Sequence, residues 1–389
     1  MNSQCTLLIA ARNAAATIER AVRSACAEPG CPLVLIDDHC TDDTVARARA
    51  VAGGRLRVVA APAPGGVPLA RQAGLDSVDT EFAAWLDADD EWIPGRAERL
   101  LAPLQAGADV ATEAIDLHDG ASGAFLRRLA VPEFVRREVT PARLFERNHL
   151  PGDTQVAFRT AVFRAAGGYD PAVYGVESFD LLLRAVASGA RFHFGPEAGY
   201  RMYAYPQSVS RDLARQRAAL VAALRKHDYE AVRGLCRAAG EPARVAAWVL
   251  VSMALYRGEP DAALTFLDEA SPAGVDPGEI LEPDGPWPFR EGWRRAFLRG
   301  TCLLLLGGRD AEAAAELRRA EALEATAEGA NNLGVALARG GDIAAARGCF
   351  AHAAARYSGY LDARLNSEAE APACITTHPL RRQASRSEY

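Results

Sequence analysis

Short apolar runs alternate with helical stretches along the first 90 residues of the chain. The helical stretches carry apolar residues three and four positions apart, whereas the runs have the length of buried strands. This alternation predicts strand–helix–strand units and an α/β domain built on a parallel sheet. The four predicted strands are residues 5–10, 33–36, 57–60 and 82–86.

Polar residues follow each of these predicted strands. Ligands of open α/β sheets bind beyond the carboxyl ends of the strands, because the loops at that edge lie side by side. We therefore expect a binding crevice lined by four segments, which are residues 11–13, 37–43, 65–71 and 87–90.

The second half of the chain has a different pattern. Periodicity is weak over residues 97–163, where the sequence predicts no clear order of elements. Beyond Arg211, alanine and leucine at helical spacing dominate, which indicates an all-helical second domain. We predict an α/β domain over residues 1–215, a helical domain over residues 216–365 and a disordered polar tail over residues 366–389.

Three glycines in the helical part mark an internal repeat, namely Gly258, Gly308 and Gly341. Each is followed five residues later by alanine, nine residues later by a large apolar residue and twelve residues later by alanine. Residues 330–358 resemble a tetratricopeptide unit, in which two helices meet at a glycine turn. The pattern favours a tetratricopeptide-like domain, with a generic alanine-rich helical bundle as the alternative.

Composition narrows the classes of function. The net charge is −6 and no block of lysine and arginine occurs, which argues against nucleic-acid partners and a polybasic membrane anchor. No apolar run approaches the roughly 20 residues that cross a bilayer, and residues 6–11 do not read as a signal peptide. We therefore expect a cytoplasmic protein without a transmembrane segment. The eight cysteines include no CxxC pair, so we expect them to be reduced and to bind no zinc.

An acidic segment directly follows the fourth predicted strand and reads Asp87-Ala88-Asp89-Asp90. In extended geometry Asp87 and Asp89 point to the same side, where one could address a sugar hydroxyl and the other a hard divalent cation. Taken alone, the segment fits an ordinary solvated turn better than a binding site, because aspartates are common in turns after strands.

Five segments within residues 6–211 favour a binding role for these aspartates. They read TLLIAARNAAATIERAVRSA, LVLIDDHCTDDT, GGVPLARQAGL, WLDADDEW and FRTAVFRAAGGYDPAVYGVESFDLLLR. In order and spacing they resemble the family 2 glycosyltransferases. The resemblance implies a Rossmann-like GT-A domain that takes a sugar from a nucleoside-diphosphate sugar, most often a UDP-sugar, and transfers it with inversion.

The resemblance also implies roles for individual residues. Those that would bind the nucleotide are Ala11, Arg12, Asp38, Arg71 and Asp87. Asp38 would contact the nucleobase and Asp87 the ribose, while Asp89 would hold Mn²⁺ or Mg²⁺ against the diphosphate. Two alternatives stay open, since Asp38 could also cap the following helix and Arg71 could be a solvated surface residue. Arg12 stands where the family usually has tyrosine, which leaves the nucleobase open.

The chain departs from the family pattern at the catalytic base. The acidic motif usually reads Glu-Asp with the aspartate as base, whereas this chain has Glu177-Ser178. Glu177 and Asp180 are the nearby carboxylates, and Glu177 is the preferred base, with a simple arginine ion pair as the alternative. Tyr205 stands where a histidine near the diphosphate is common, and His193 fits an ordinary strand residue.

These observations predict an enzyme of the hexosyltransferase type with a saccharide, a lipid-linked or a peptide acceptor. The helical domain is expected either to present a polypeptide acceptor or to pair two subunits into a homo-oligomer. A catalytically impaired nucleotide-binding scaffold of the same fold is the alternative from another functional class.

Overall fold

The computed structural model describes residues 4–132, 141–205, 213–281, 289–357 and 360–378. The chain divides into two compact units, the first formed mainly by Met1–Leu144 and Asn148–His227 and the second mainly by Asp228–Gln383. The division falls after His227, whereas the sequence predicted residue 215. Lys226 gives the physical reason, because its ammonium group is ion paired with Asp170 and Asp180 of the first unit.

Nine strands of the described residues form one sheet in the first unit. They are β1 (Cys5–Ala11), β2 (Leu33–Asp37), β3 (Leu56–Ala60), β4 (Phe82–Trp85), β5 (Glu91–Trp92), β6 (Val110–Asp119), β7 (Phe125–Leu129), β8 (Ala157–Arg159) and β9 (Phe192–Ala204). The order is β3-β2-β1-β4-β8-β6-β9-β5, and β7 pairs with β6. β1 to β4 are mutually parallel, as predicted, whereas β8 runs antiparallel to both β4 and β6, so the whole sheet is mixed.

Seven helices of the described residues accompany this sheet. They are α1 (Ile18–Cys26), α2 (Thr44–Ala52), α3 (Val67–Asp76), α4 (Arg96–Gln105), α5 (Thr160–Ala165), α6 (Glu177–Ala187) and α7 (Leu213–Arg225). α1 shows why they form, because its apolar residues at helical spacing make one buried face, consisting of Ile18, Ala21, Val22 and Ala25. That face packs into the same core as the buried strands β1 and β2.

The sequence predicted no clear elements over residues 97–163, and β6 shows the reason. Its residues Thr112 and Glu113 are buried although they are polar, so they interrupt the apolar pattern that marks a strand. Glu113 is tolerated there because Arg99 lies 3.3 Å from its carboxylate. The compensating partner is not visible from the local sequence.

In the described residues of Asp228–Gln383 the regular elements are all helices. Its helices are α8 (Tyr229–Ala238), α9 (Ala243–Arg257), α10 (Pro260–Ala270), α11 (Glu291–Leu306), α12 (Asp310–Leu323), α13 (Ala327–Arg339), α14 (Ile343–Arg356) and α15 (Leu361–Glu368). The three marker glycines lie between α9 and α10, between α11 and α12, and between α13 and α14, so each joins a helical hairpin. None of these helices or those of the first unit, within the described ranges, is long and apolar enough to cross a membrane.

The repeated positions of the sequence pattern lie in the second helix of each hairpin. All nine are buried, and they are Ala263, Leu267, Ala270, Ala313, Leu317, Ala320, Ala346, Phe350 and Ala353. Small residues at the first and third positions let neighbouring helices approach closely. The hairpins therefore agree with the repeat pattern, and their assignment to the tetratricopeptide class stays a prediction.

Residues 366–378 differ from the predicted disordered tail. Asn366 lies in α15 and is buried, and Thr376 and His378 are buried as well. The order has a physical cause, since buried asparagines bind the main chain of this segment. Residues 379–389 lie outside the described part of the chain.

Candidate active site

The carboxyl ends of β1 and β2 bring together the first group of predicted nucleotide-binding residues. The carbonyl oxygen of Ala11 accepts a hydrogen bond of 2.9 Å from the main-chain N–H of Asp38. Arg12 is exposed, and its guanidinium lies 3.6 Å from the buried Asp38 carboxylate. These three residues therefore share one corner of the predicted crevice.

Asp38 also fixes the glycine loop that precedes α3. Both of its carboxylate oxygens accept from the N–H of Gly66, at 2.9 and 3.1 Å. Gly65 is required beside it, because its φ is +82° and a Cβ there would lie 2.5 Å from Asp38 Oδ1. The alternative of a helix cap is not what the geometry shows, since the N–H of Thr44 at the start of α2 donates to Asp42 instead.

Arg71 lies at the centre of a second group. It belongs to α3 and is 5% exposed, in contrast to the alternative of a solvated surface arginine. Its Nη2 lies 3.1 Å from Asp87 Oδ1, and its Nε lies 3.7 Å from Glu177 Oε1. Burial alone would lower the pKa of Arg71, but the two carboxylates outweigh it and raise that pKa. Three predicted site residues from distant parts of the sequence thus meet around one cation.

Glu177 begins α6, and its carboxylate is 5% exposed. The N–H of Gly175 donates to it at 2.7 Å. Burial raises the pKa of Glu177 more than the charge of Arg71 lowers it, and the negative charge of Asp153 raises it further. A carboxylate whose pKa is raised toward neutrality is suited to accept a proton from a hydroxyl.

Asp180, the second catalytic candidate, has a different environment. Its side chain is completely buried and lies 2.7 Å from Arg184 and 2.7 Å from Lys226. A carboxylate enclosed by two cations has no access to an acceptor and holds α6 in place. Of the two carboxylates, Glu177 is therefore the one whose environment suits a base.

Asp87 and Asp89 lie in a turn and not in an extended continuation of β4. The N–H of Asp90 donates to the carbonyl oxygen of Asp87 at 3.1 Å, so the alternation expected for a strand does not apply. Asp87 accepts from Thr154 at 3.2 Å and from the amide of Gln155, in addition to its contact with Arg71. Asp89 is partly exposed, and its carbonyl oxygen accepts from Arg20.

The donor set of this turn suits a hard divalent cation. Magnesium and manganese prefer oxygen ligands, and Mg²⁺ is commonly held by one or two carboxylates together with the phosphates of a substrate. The described residues contain no group of three or more acidic, histidine or cysteine side chains that could hold a metal alone. The partly exposed Asp89 beside Asp87 therefore fits a cation that takes its remaining ligands from a diphosphate.

Thr154 and Gln155 were missed by the sequence analysis. They precede β8, which pairs antiparallel to β4 with Ala84 opposite Ala157. Because of this antiparallel direction, residues before β8 lie beside residues after β4. The polar residues 153–155 in front of a short apolar stretch could have indicated site residues next to a strand. The direction of β8 in the sheet, however, cannot be predicted from the local sequence.

Arg20 and Tyr200 were missed as well. The hydroxyl of Tyr200 accepts from the N–H of Asp87 at 3.1 Å. Arg20 lies 3.2 Å from the hydroxyl of Tyr205, so the tyrosine that replaces the expected histidine is adjacent to the turn of Asp89. His193 is an exposed residue of β9 and takes no part in these contacts.

The parallel strands β1 to β4 and the helices beside them form an α/β domain of the GT-A type. Residues 6–166 match the family described as Glycosyl transferase family 2. Over these residues the chain is thus similar to a family 2 glycosyltransferase domain, and a helical region follows in the sequence.

Two curated proteins of Rhizobium meliloti (strain 1021) are similar to about half of this chain. Succinoglycan biosynthesis protein ExoO is 33% identical over 222 residues, which cover 54% of this chain and 63% of that protein. Succinoglycan biosynthesis protein ExoU is 33% identical over 219 residues, which cover 52% of this chain and 63% of that protein. The chain therefore spans less than two thirds of the length of each relative.

A solved structure extends the similarity to the fold of most of the chain. The crystal structure of residues 1–349 of S. aureus TarS covers 92% of this chain and 92% of its own length, with a TM-score of 0.50 and 13% sequence identity. At this identity the likeness concerns the fold alone.

Proposed function

We propose that the protein is an inverting glycosyltransferase that moves a sugar from a nucleoside diphosphate, UDP in the first instance, to an acceptor hydroxyl. The observation that carries this proposal is the meeting of Arg71, Asp87 and Glu177 at the carboxyl edge of the sheet. A donor-binding aspartate and arginine next to a buried carboxylate are the parts that such a transfer needs.

We assign binding of the donor to two groups of residues, the one around Asp38 and the one around Arg71 and Asp87. Asp38 and Arg12 would contact the nucleobase, which agrees with their position at the ends of β2 and β1. Asp87 would accept from a ribose hydroxyl, because Arg71, Thr154 and Gln155 hold its carboxylate in one orientation. Asp89 would hold Mg²⁺ or Mn²⁺, which when bound supplies positive charge to the departing diphosphate.

Glu177 is assigned as the base. As the acceptor oxygen forms its bond to the anomeric carbon, the bond from that carbon to the diphosphate oxygen breaks. The acceptor proton passes to the Glu177 carboxylate, and the nucleoside diphosphate leaves with the bonding electrons. The positive charge of Arg71 favours the ionised form of Glu177 and thereby opposes the effect of burial on its pKa.

A saccharide is the acceptor that we favour. The two curated relatives are named for the biosynthesis of succinoglycan, and each matches about half of this chain. This support concerns the acceptor class only and leaves the donor sugar open.

The proposal is tested by measuring release of UDP from a panel of UDP-sugars with a saccharide acceptor, with and without Mn²⁺. We expect Glu177→Gln and Asp89→Asn to lose at least about 100-fold in turnover. Matched controls are Glu312→Gln and Asp268→Asn, which remove carboxylates of exposed ion pairs in the helical unit. UDP binding without turnover of any donor would favour the scaffold alternative, and equal activity of all variants would refute the assigned roles.

A further inference from the structure

An extended segment, residues 373–378, lies in a cleft of the helical unit; we refer to it as the C-terminal segment. It follows α15 and has neither helical nor strand structure. The main-chain groups of Ala373, Cys374 and Thr376 bond asparagine side chains of the helices. Its position is thus determined by side chains that the helices present to it.

Three asparagines provide most of these contacts, namely Asn331, Asn332 and Asn366. Each is at most 1% exposed. Asn332 binds one residue of the segment at two points, since its Oδ1 accepts from the Thr376 N–H at 2.9 Å and its Nδ2 donates to the Thr376 carbonyl at 2.8 Å. A side-chain amide that pairs with both main-chain groups of one residue reproduces what a neighbouring β-strand would offer.

Asn366 does the same two residues earlier. Its Oδ1 accepts from the Cys374 N–H at 2.8 Å, and its Nδ2 donates to the Cys374 carbonyl at 2.8 Å. Asn331 adds a donor to the same carbonyl at 3.0 Å. Cys374 and Thr376, the two residues that the asparagines bind, are separated by the two-residue period of an extended chain. The asparagines therefore recognise main-chain geometry and not a particular sequence.

Two side-chain pockets add selectivity. The hydroxyl of Thr376 donates to Asp362 at 2.7 Å and also contacts the hydroxyl of Tyr360. Two residues further, the imidazole of His378 stacks on the ring of Tyr256 with 3.6 Å between centroids. The cleft therefore fits an extended peptide with a hydroxyl side chain and, two positions later, a flat ring.

The floor of the cleft spans successive hairpins. Tyr256 belongs to α9, Asn331 and Asn332 to α13, and Asn366 to α15, so residues of three helices contact the same segment. Asn332 additionally donates to Thr301 of α11 at 3.0 Å. Buried amides need hydrogen-bond partners, and the main chain of the segment supplies those that the helices do not.

We propose that this cleft is a binding site for an extended polypeptide of a partner protein, and that the C-terminal segment occupies it in cis as a competitor. A segment bound only through apolar side-chain packing could not be replaced by a peptide of another sequence. Main-chain contacts through asparagine, in contrast, are reproduced by any extended peptide that carries the hydroxyl and ring positions. The inference is independent of the proposed transferase activity and has its own binding readout.

The test uses the full chain and a fluorescent peptide with the sequence of residues 371–379, in which the cysteine is replaced by serine. Thr376→Pro removes the N–H that donates to Asn332 and thereby weakens the resident segment, while the cleft keeps its residues. Fluorescence polarisation is expected to show at least 10-fold tighter peptide binding by Thr376→Pro than by the wild-type chain. Adding Asn332→Ala to Thr376→Pro should reverse this gain.

A matched ligand controls for unspecific binding. The same peptide with an N-methyl group at the position of Thr376 lacks one donor and should bind at least 10-fold more weakly. His378→Ala serves as a second variant that loosens the segment without a proline, in case Thr376→Pro does not fold as judged by circular dichroism. A folded loosened variant that binds no peptide, or equal binding of the N-methyl peptide, would overturn the proposal and leave the segment as a structural strap.

Discussion

Arg71 is a buried cation that separates two carboxylates. Replacing it by methionine keeps the volume but leaves Asp87 and Glu177 close together without a counter-charge. We expect Arg71→Met to lower the free energy of unfolding by about 3 kcal/mol, measured by urea denaturation. Arg128→Met breaks an exposed ion pair with Asp116 and should change the free energy of unfolding by less than about 1 kcal/mol. Similar values for both variants would contradict the central role of Arg71.

Glu177 gives the expected pH dependence of the reaction. Its pKa is raised from the ordinary value of 4.5, mainly by burial. The ionised base is therefore lost as the pH falls through this raised pKa, and kcat/KM should decline on the acidic side at a pH above 4.5. The acidic limb should disappear in the residual activity of Glu177→Gln. A limb that persists in this variant would assign the base to another residue.

The pairing of helices within a hairpin depends on two glycines, Gly300 and Gly334, which lie eight and seven residues before the marker glycines Gly308 and Gly341. In α11 a Cβ on Gly300 would lie 2.6 Å from Leu317 of α12, and in α13 a Cβ on Gly334 would lie 2.5 Å from Phe350 of α14. Leu317 and Phe350 occupy the same position of the sequence repeat. The repeat therefore records a close helix contact, in which the missing side chain of one helix makes room for the large side chain of the next.

This contact leads to a prediction with an internal control. Gly334→Ala should destabilise the helical unit by about 1–3 kcal/mol, because the methyl group has to displace the ring of Phe350. Gly348→Ala, in an exposed position of α14 with no atom within 4 Å of the new Cβ, should stabilise it by about 1 kcal/mol. Both changes are measurable by thermal denaturation. Equal signs would show that helix propensity and not the ring contact determines the effect.

Local patterns predicted the parts of the fold that local physics determines. β1, β2 and β4 were predicted because their apolar runs are buried almost without interruption. The meeting of Arg71 with Asp87 followed from the rule that strand ends converge. Thr154 and Gln155 could not be predicted, since their place depends on the direction in which β8 joins the sheet. The C-terminal segment was expected to be disordered because its composition is polar. Its order depends on contacts with buried asparagines of the helices, which the composition of the segment does not reveal.

The division into two compact units makes a prediction for the whole molecule. The hydrophobic core around β1 and β4 is formed by residues of the first unit, while α9 to α15 bury their own apolar residues. We therefore expect two unfolding transitions in calorimetry. UDP with Mn²⁺ at about 100 times its Kd should add about 2.7 kcal/mol to the first unit and raise its transition by roughly 5–10 °C. Gly334→Ala should lower the other transition only. A single transition that responds to both changes would mean that the two units unfold as one, and an unchanged pair of transitions in the presence of UDP and Mn²⁺ would remove the nucleotide site from the first unit.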